Sequence, residues 1–247
     1  MPKITSKEYQ LFENFIKSGV VALHESKLKK LKALKLEDIM YRKNMYLFKT
    51  KYLQTPEELV RSIMDAFISS SEETTFGNFM EKFAIYISEV LEGGQKSSTK
   101  GIDLEINRNG VRHLIDIKSG PNWGNSNQIA KMEDNFKKAA KTMQTSGGNV
   151  NAQFINGCCY GTDDNPQKGI YFKLCGQRFW EFLTGDKDFY LKIIEPLGFQ
   201  AKERSEKFNE SFTEKLISFT SIFHKDFIDN ERINWSKLIA ANSGIKK

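Results

Sequence analysis

Two acidic residues and a lysine lie close together near the middle of the chain, at a spacing that suits phosphate chemistry. Asp116 and Lys118 belong to the segment VRHLIDIK, and Asp103 precedes them in the segment GIDLEINR. Mg²⁺ prefers carboxylate oxygens as protein ligands, and a lysine beside it can orient a water molecule and offset charge on phosphate oxygens. This set of side chains therefore predicts metal-dependent hydrolysis of a phosphodiester.

The residues around this set predict a β-hairpin that brings it together. Polar and apolar residues alternate in GIDLEINR, and VRHLIDIK resumes the extended pattern, so Asp116 and Lys118 share one face of a strand. Asn109-Gly110 lies between the two segments and is the strongest short hairpin signal. A tight turn there places Asp103 across from the Asp116–Lys118 pair, within a few residues of register.

An Asp-x-Lys sequence on a strand also has a plain structural interpretation, as a solvated face with a cross-strand ion pair. The second carboxylate at hairpin distance favours a catalytic role over this structural one. The abrupt end of the strand after Lys118 and the amide-rich loop that follows favour it as well. Asn and Gln side chains pair with adenine edges and also contact phosphates, although turns and helix caps use them equally well. The predicted DNA-binding residues are Ser119, Asn122, Trp123, Asn125, Asn127 and Gln128.

The rest of the chain predicts helices on both sides of this hairpin. Apolar periodicity and capping signals predict helices from Lys7 to about Leu34, from Thr55-Pro56, from about Thr75 to Leu91, from about Ser126 to Met143 and from about Glu203 to Phe227. Two apolar segments predict further strands, at Ala152–Tyr160 and Gly169–Leu174. We see no linker or repeat, and expect one domain over residues 1–247. We expect its helical part, residues 1–54, to form a dimer contact or a DNA-backbone face, and residues 75–175 to form the catalytic core.

Composition places the protein in a broad class. The 247 residues, 39% of them hydrophobic and 12% aromatic, are enough to bury one sizeable core. The net charge of +6 modestly favours a polyanionic partner. The three cysteines form no CxxC pair, and the chain shows neither the apolar core of a signal peptide nor a membrane-spanning run. We therefore expect a cytosolic protein with buried, reduced cysteines.

The same residues resemble a known nuclease superfamily. Ile102-Asp103 and Asp116-Ile117-Lys118 are similar to the PD-(D/E)xK motif, with Ile102 where proline is usual. The continuation DIKSGPNWGNSNQ resembles type II restriction endonucleases of the TdeIII-like group. Weaker similarities lie at Phe76-Gly77, at the helix start GQRFW (residues 176–180) and at NWSKL (residues 234–238).

The resemblance implies an αβα sandwich with a central mixed sheet and additional helices at both ends. It implies that Asp103 and Asp116 bind Mg²⁺ and that Lys118 assists catalysis. It further implies double-strand DNA cleavage by a homodimer that reads a GGNCC-type palindrome, alongside a cognate DNA methyltransferase. A repair or junction-resolving nuclease and a non-catalytic DNA-binding module are the alternatives.

Two carboxylates and a basic segment have roles that the sequence leaves open. Glu81 lies on the helix before the hairpin, where related nucleases often have a helical Glu in the metal site, and it is a further predicted catalytic residue or an ordinary solvated one. Glu105 shares a strand face with Asp103 and is a spare carboxylate. The run from Lys27 to Lys35 is a DNA-backbone face or a solvated helix surface.

Overall fold

The computed structural model describes residues 4–145 and 151–245. The chain divides into two compact units: the first comprises Met1–Val20 and Phe76–Phe199, and the second Val21–Thr75 and Gln200–Lys247. The predicted hairpin lies in the first unit. The single domain predicted over residues 1–247 stays a prediction.

Four helices precede the sheet in the chain: α1 (Ser6–Ala33), α2 (Leu36–Tyr41), α3 (Met45–Lys49) and α4 (Pro56–Glu92). The predicted capping box opens α4. The Glu58 amide donates to Thr55 Oγ1 at 3.2 Å, and the Thr55 amide donates to Glu58 Oε2 at 3.1 Å. The helix ends before Gly93, whose φ of 64° lies in the left-handed region that glycine tolerates.

The predicted helix start near Thr75 is wrong, because α4 runs without a break through Phe76 and Gly77. The Ser- and Thr-rich stretch before that point looked like a boundary. Its hydroxyls instead donate to carbonyls four residues earlier in the same helix, from Ser70, Thr74 and Thr75. These hydrogen bonds satisfy the side chains inside the helix, so the stretch does not end it.

A five-stranded mixed sheet forms the centre of the first unit. Its strands are β1 (Gln95–Lys96), β2 (Leu104–Arg108), β3 (Val111–Lys118), β4 (Ala152–Cys158) and β5 (Phe172–Cys175), and they lie side by side in that order. β1, β2 and β3 are antiparallel neighbours, whereas β3, β4 and β5 are parallel. The predicted tight turn is confirmed, since Asn109 and Gly110 have φ values of 51° and 75° and Arg108 pairs with Val111.

Strand β5 begins three residues later than the predicted strand at Gly169. Gly169 has a φ of 79°, and the Lys168 amide donates to the Tyr171 carbonyl at 3.0 Å. Residues 168–171 therefore form a turn before β5 instead of extending it.

Helices cover both faces of the sheet. Helix α5 (Ser126–Thr145) packs Met132 and Phe136 against Leu114 of β3. On the other face, Phe179 of α6 (Gln177–Thr184) lies against Gly157 of β4. Short helices α7 (Phe189–Lys192) and α8 (Ile194–Leu197) complete the unit. The predicted fold class, a central mixed sheet between helices, is confirmed.

Replacing Gly157 with alanine should destabilise the protein. A Cβ at this position would overlap the ring of Phe179, which is fully buried. Overpacking of this kind costs about 1–3 kcal/mol in the free energy of unfolding, measurable by urea denaturation. Combining Gly157→Ala with Phe179→Leu should cost less than the sum of the two changes. Strictly additive costs would show that the overlap is not the cause.

The second unit has its own apolar core. Its remaining elements are α9 (Ala201–Phe227), β6 (Ile228–Asp229), β7 (Arg232–Ile233) and α10 (Trp235–Ser243). Buried Leu216, Phe219 and Phe223 of α9 pack with residues of α2, α3 and the first part of α4. Among the residues described, no helix combines the length and the apolar character needed to cross a membrane.

The basic run Lys27–Lys35 lies at the end of α1 and in the turn after it. Lys27 forms an ion pair with Glu72, and its Nζ lies 3.6 Å from the centre of the Phe208 ring. The other four lysines of the run are exposed. Both interpretations of the run, a DNA-backbone face and a solvated surface, remain open.

Candidate active site

The hairpin brings Asp103 beside the Asp116–Lys118 pair. Asp103 immediately precedes β2, and its amide donates to the Ile115 carbonyl at 2.9 Å. Its Oδ2 atom accepts a hydrogen bond of 2.7 Å from the Ile117 amide. Because Ile117 lies between Asp116 and Lys118, this bond fixes the Asp103 carboxylate against the peptide that carries the other two groups.

Asp116 is a buried carboxylate with one ion-pair partner. Lys118 Nζ lies 2.6 Å from Asp116 Oδ1, with side-chain exposures of 28% for the lysine and 8% for the aspartate. The pKa of Asp116 is raised to about 6, mainly by burial and in smaller part by the charge of Asp103, against the lowering effect of Lys118. The lysine therefore does not fully offset the cost of burying the Asp116 charge, and a bound cation would favour the ionised carboxylate.

Glu81 of α4 lies close enough to this set to share its electrostatics. Burial raises the pKa of Glu81, and the charge of Asp103 adds to the effect while Lys118 reduces it. The helix approaches the site closely at Gly77, where a Cβ would lie 3.4 Å from the Cβ of Ser119. The structure therefore places Glu81 near the predicted catalytic residues, and its catalytic role stays a prediction.

Asn156 is a site residue that the sequence analysis missed. It lies on β4 directly opposite Asp116 and is 1% exposed. Its Nδ2 donates to Asp116 Oδ2 at 3.1 Å, and its Oδ1 accepts from Trp123 Nε1 at 3.1 Å. The signal for it was one amide residue inside the otherwise apolar end of the strand AQFINGC.

The loop after Lys118 is anchored at several points. The Pro121 carbonyl accepts from Lys173 Nζ at 2.8 Å, and the Ser119 carbonyl accepts from the Tyr160 amide at 3.1 Å. Trp123 packs partly buried beside Phe136 and the other residues of the α5 core, and its ring centre lies 5.1 Å from Lys118 Nζ. The loop therefore lies next to the predicted catalytic lysine.

Two of the predicted DNA-binding residues cap α5. The Gln128 amide donates to Asn125 Oδ1 at 3.1 Å, and the Asn125 amide donates to Gln128 Oε1 at 2.9 Å. Asn122 and Asn127 are exposed and form no side-chain hydrogen bond within residues 4–145 and 151–245. DNA contacts of the loop residues stay predictions, with Asn122 and Asn127 the members whose amides are available.

Glu105 has structural partners. Its carboxylate accepts from the Ser97 hydroxyl and forms an ion pair with Arg112. Burial raises its pKa, but the hydrogen bonds from Ser97 and Arg112 outweigh that effect, so the pKa lies below its ordinary range. The Glu105 carboxylate is therefore paired with Arg112 and not with Lys118.

The donor set fits magnesium better than a metal that needs many protein ligands. Within the described residues, no group of three or more His, Cys, Asp or Glu side chains could hold a metal ion. Cys158, Cys159 and Cys175 are free and buried. Magnesium keeps several waters and often takes only one or two carboxylates plus phosphate oxygens. Asp103 and Asp116 supply that number.

A mixed sheet between helices, with an acidic-x-Lys pair at the end of a hairpin strand, is typical of restriction-endonuclease-like proteins. The family model of the type II restriction endonuclease EcoO109I matches residues 10–205, and the chain belongs to that family. No curated protein matches the chain. It is thus a DNA-cleaving hydrolase of the restriction class, and this family favours a restriction endonuclease over the two alternatives, a repair nuclease and a DNA-binding module. The family model covers restriction endonucleases of the EcoO109I type and does not assign the chain to the TdeIII-like group.

Proposed function

We propose that this restriction endonuclease requires Mg²⁺ and hydrolyses DNA with Asp103, Asp116 and Lys118. The observation that carries the proposal is the 2.6 Å contact between Lys118 Nζ and the buried Asp116 carboxylate. Asp103 supports it, because its carboxylate is bonded to the peptide between these two residues. Holding a buried carboxylate, Asp116, and a half-buried one, Asp103, beside one lysine is costly without a further positive charge, which a cation would supply.

Asp103 and Asp116 would hold the ion, with Glu81 as a nearby third carboxylate. Bound Mg²⁺ would polarise the scissile phosphate and make a water molecule more acidic. Asp103 Oδ2 accepts the Ile117 amide, so its Oδ1 is the oxygen that would be left to bind the ion. Asp116 presents Oδ1 to Lys118 and Oδ2 to Asn156, and these bonds fix the direction of its remaining lone pairs.

In this proposal Lys118 is the side chain that acts directly on the attacking water and the phosphate. Its ammonium group has three donors and is partly exposed, so it can bond to Asp116 and still reach a water molecule or a phosphate oxygen. It orients the attacking water and balances the negative charge that builds on the phosphate oxygens. The water oxygen bonds to phosphorus and gives up a proton to solvent, while the bond from phosphorus to the leaving oxygen of the cut strand breaks and that oxygen takes a proton from solvent. The reaction is a direct hydrolysis without a covalent enzyme intermediate.

The proposal extends to assembly and specificity. A homodimer with two-fold symmetry would place one site on each strand of a palindromic DNA sequence. The similarity of DIKSGPNWGNSNQ to the TdeIII-like group supports a GGNCC-type palindrome. The loop residues Ser119, Asn122, Trp123, Asn125, Asn127 and Gln128 would contact this DNA. A cognate DNA methyltransferase would protect the same sequence in the host.

Digestion of unmethylated phage DNA tests the proposed function. The purified protein is incubated with the DNA in Mg²⁺ and, separately, in EDTA. We expect discrete fragments in Mg²⁺ alone, and sequencing their ends gives the recognised bases and the stagger. A smear would contradict sequence specificity. Equal cleavage in EDTA would contradict the metal requirement, and intact DNA in both reactions would contradict the nuclease.

Mg²⁺ should stabilise the folded protein through the same residues. At about ten times the dissociation constant, binding to the native state should raise the melting temperature by about 3–5 °C. Differential scanning fluorimetry without DNA, at matched ionic strength, measures this shift. Asp116→Ala should remove most of it. An equal shift in wild type and Asp116→Ala would place the ion elsewhere.

A further inference from the structure

The amide of Asn156 lies between the predicted catalytic carboxylate and the loop after Lys118. Its Nδ2 donates to Asp116 Oδ2 at 3.1 Å and to the Asp116 carbonyl at 3.3 Å. Its Oδ1 accepts from the Trp123 indole at 3.1 Å. Asn156 is almost completely buried, so water does not supply substitutes for these bonds.

The Trp123 indole fixes which way this amide faces. An asparagine amide has a donor end and an acceptor end, and a half-turn exchanges them. An indole N–H is only a donor, and a carboxylate is only an acceptor when ionised, so one orientation satisfies both. The opposite orientation would direct the amide oxygen at the Asp116 carboxylate. Cys158 Sγ lies 3.8 Å from Asn156 Oδ1, and a thiol is a much weaker donor than the indole.

We propose that Asn156 and Trp123 are positioning residues that set the Asp116 carboxylate for cleavage. Trp123 orients the Asn156 amide, and that amide holds Asp116 Oδ2 while Lys118 holds Oδ1. The inference rests on the proposed function, because it assigns Asp116 to the catalytic set. It adds two residues that act through Asp116 and touch neither the water nor the phosphate.

The loop keeps other anchors when the indole bond is removed. Lys173 holds the Pro121 carbonyl, and the Tyr160 amide holds the Ser119 carbonyl. Trp123→Phe keeps an aromatic ring at this position and removes the N–H together with the rest of the five-membered ring. The remaining anchors hold the loop, and the coupling of this change to Asn156→Ala reports on the indole bond.

A double-mutant cycle on the cleavage rate tests the link. Trp123→Phe and Asn156→Ala are each expected to lower the single-turnover rate about tenfold, the scale seen when a group behind a metal ligand is removed. The dissociation constant for DNA, measured without Mg²⁺, should stay within about twofold of wild type for Asn156→Ala, because Asn156 is buried. Trp123 is a predicted DNA contact, so the rates are compared at saturating enzyme, where a change in affinity does not enter. The double variant should be no slower than Asn156→Ala, because both changes break one chain of contacts. Trp235→Phe, in the second unit, is the matched control and should cleave at the wild-type rate.

Fluorine NMR supplies a readout independent of cleavage. The chain has three tryptophans, and Trp123→Phe identifies the signal of Trp123 in protein labelled with 5-fluorotryptophan. We expect Asn156→Ala to move this signal, and Mg²⁺ to move it in wild type but not in Asp116→Ala. A Trp123 signal unchanged by Asn156→Ala would overturn the proposed link.

The outcomes separate the two proposals. If wild type cleaves and Trp123→Phe cleaves equally fast, or if the two effects multiply in the double variant, the positioning role is wrong and the nuclease stands. If folded wild type does not cleave in Mg²⁺, the proposed function fails and the positioning role fails with it. If Asn156→Ala does not fold, the cleavage rate of Trp123→Phe and the Mg²⁺-dependent movement of the Trp123 signal in wild type still decide the question.

Discussion

Replacing Asp116 with alanine should lower the DNA cleavage rate by about 10³-fold or more, since the variant loses both a proposed metal ligand and the partner that holds Lys118. The expected loss is in the single-turnover rate with saturating enzyme. The dissociation constant for DNA, measured without Mg²⁺, should change little or fall slightly, because a negative charge is removed near the phosphates. Rapid-quench assays and gel shifts on one duplex give the two quantities.

The same variant should not be destabilised by loss of the charge. Burial raises the pKa of Asp116 to about 6, so the ionised carboxylate opposes folding above that pH when no metal is bound. Asp116→Asn, which keeps the shape, should therefore melt at or above the wild-type temperature at pH 7 while remaining inactive.

Asp134→Ala, on the exposed side of α5, is the control and should leave cleavage unchanged. A cleavage rate within tenfold of wild type for Asp116→Ala would remove this residue from the active site.

Lys118→Ala should be the second severe loss, with the cleavage rate falling about 10²–10³-fold, the range for removing one donor that stabilises charge in a transition state. Mg²⁺ binding should persist, because both carboxylates remain. The Mg²⁺-dependent rise in melting temperature therefore separates this variant from Asp116→Ala. Lys118→Arg should recover only part of the rate, since a planar guanidinium does not replace a compact ammonium group.

Lys138→Ala is the matched control for this loss of charge. Lys138 is an exposed lysine of α5 that pairs with Asp134. If DNA attraction alone explained the lysine effect, both variants would weaken binding and leave the rate of bound complexes intact. That result would contradict a catalytic role for Lys118.

Local signals predicted the β2–β3 hairpin well. Asn109-Gly110 adopts positive φ at both residues, a requirement that few other pairs meet, so the turn fixes the register of β2 and β3. The register then determines that Asp103 faces the Asp116–Lys118 pair. Likewise, the capping box at Thr55 and Glu58 is specified within four residues of chain.

The residues that were missed depend on distant pairing. Asn156 meets Asp116 only because β4 lies parallel beside β3, and that neighbour is set by how the sheet packs between helices. The length of α4 was misread for a different, local reason. Ser and Thr residues weaken a helix on average, but here their hydroxyls bond back into it and the apolar residues on either side continue to pack. Single-residue preferences predict neither the pairing of β4 with β3 nor the hydroxyl hydrogen bonds inside α4.

The most direct test of the account is to locate the metal on the protein itself. Fe²⁺ is bound in place of Mg²⁺, ascorbate and peroxide are added, and radicals formed at the ion cut the nearest peptide bonds. Mass spectrometry of the fragments should show chain ends close to Asp103 and Asp116, suppressed by excess Mg²⁺ and absent in Asp116→Ala. Cuts that are competed by Mg²⁺ but lie elsewhere in the chain would contradict the hairpin as the metal-binding active site.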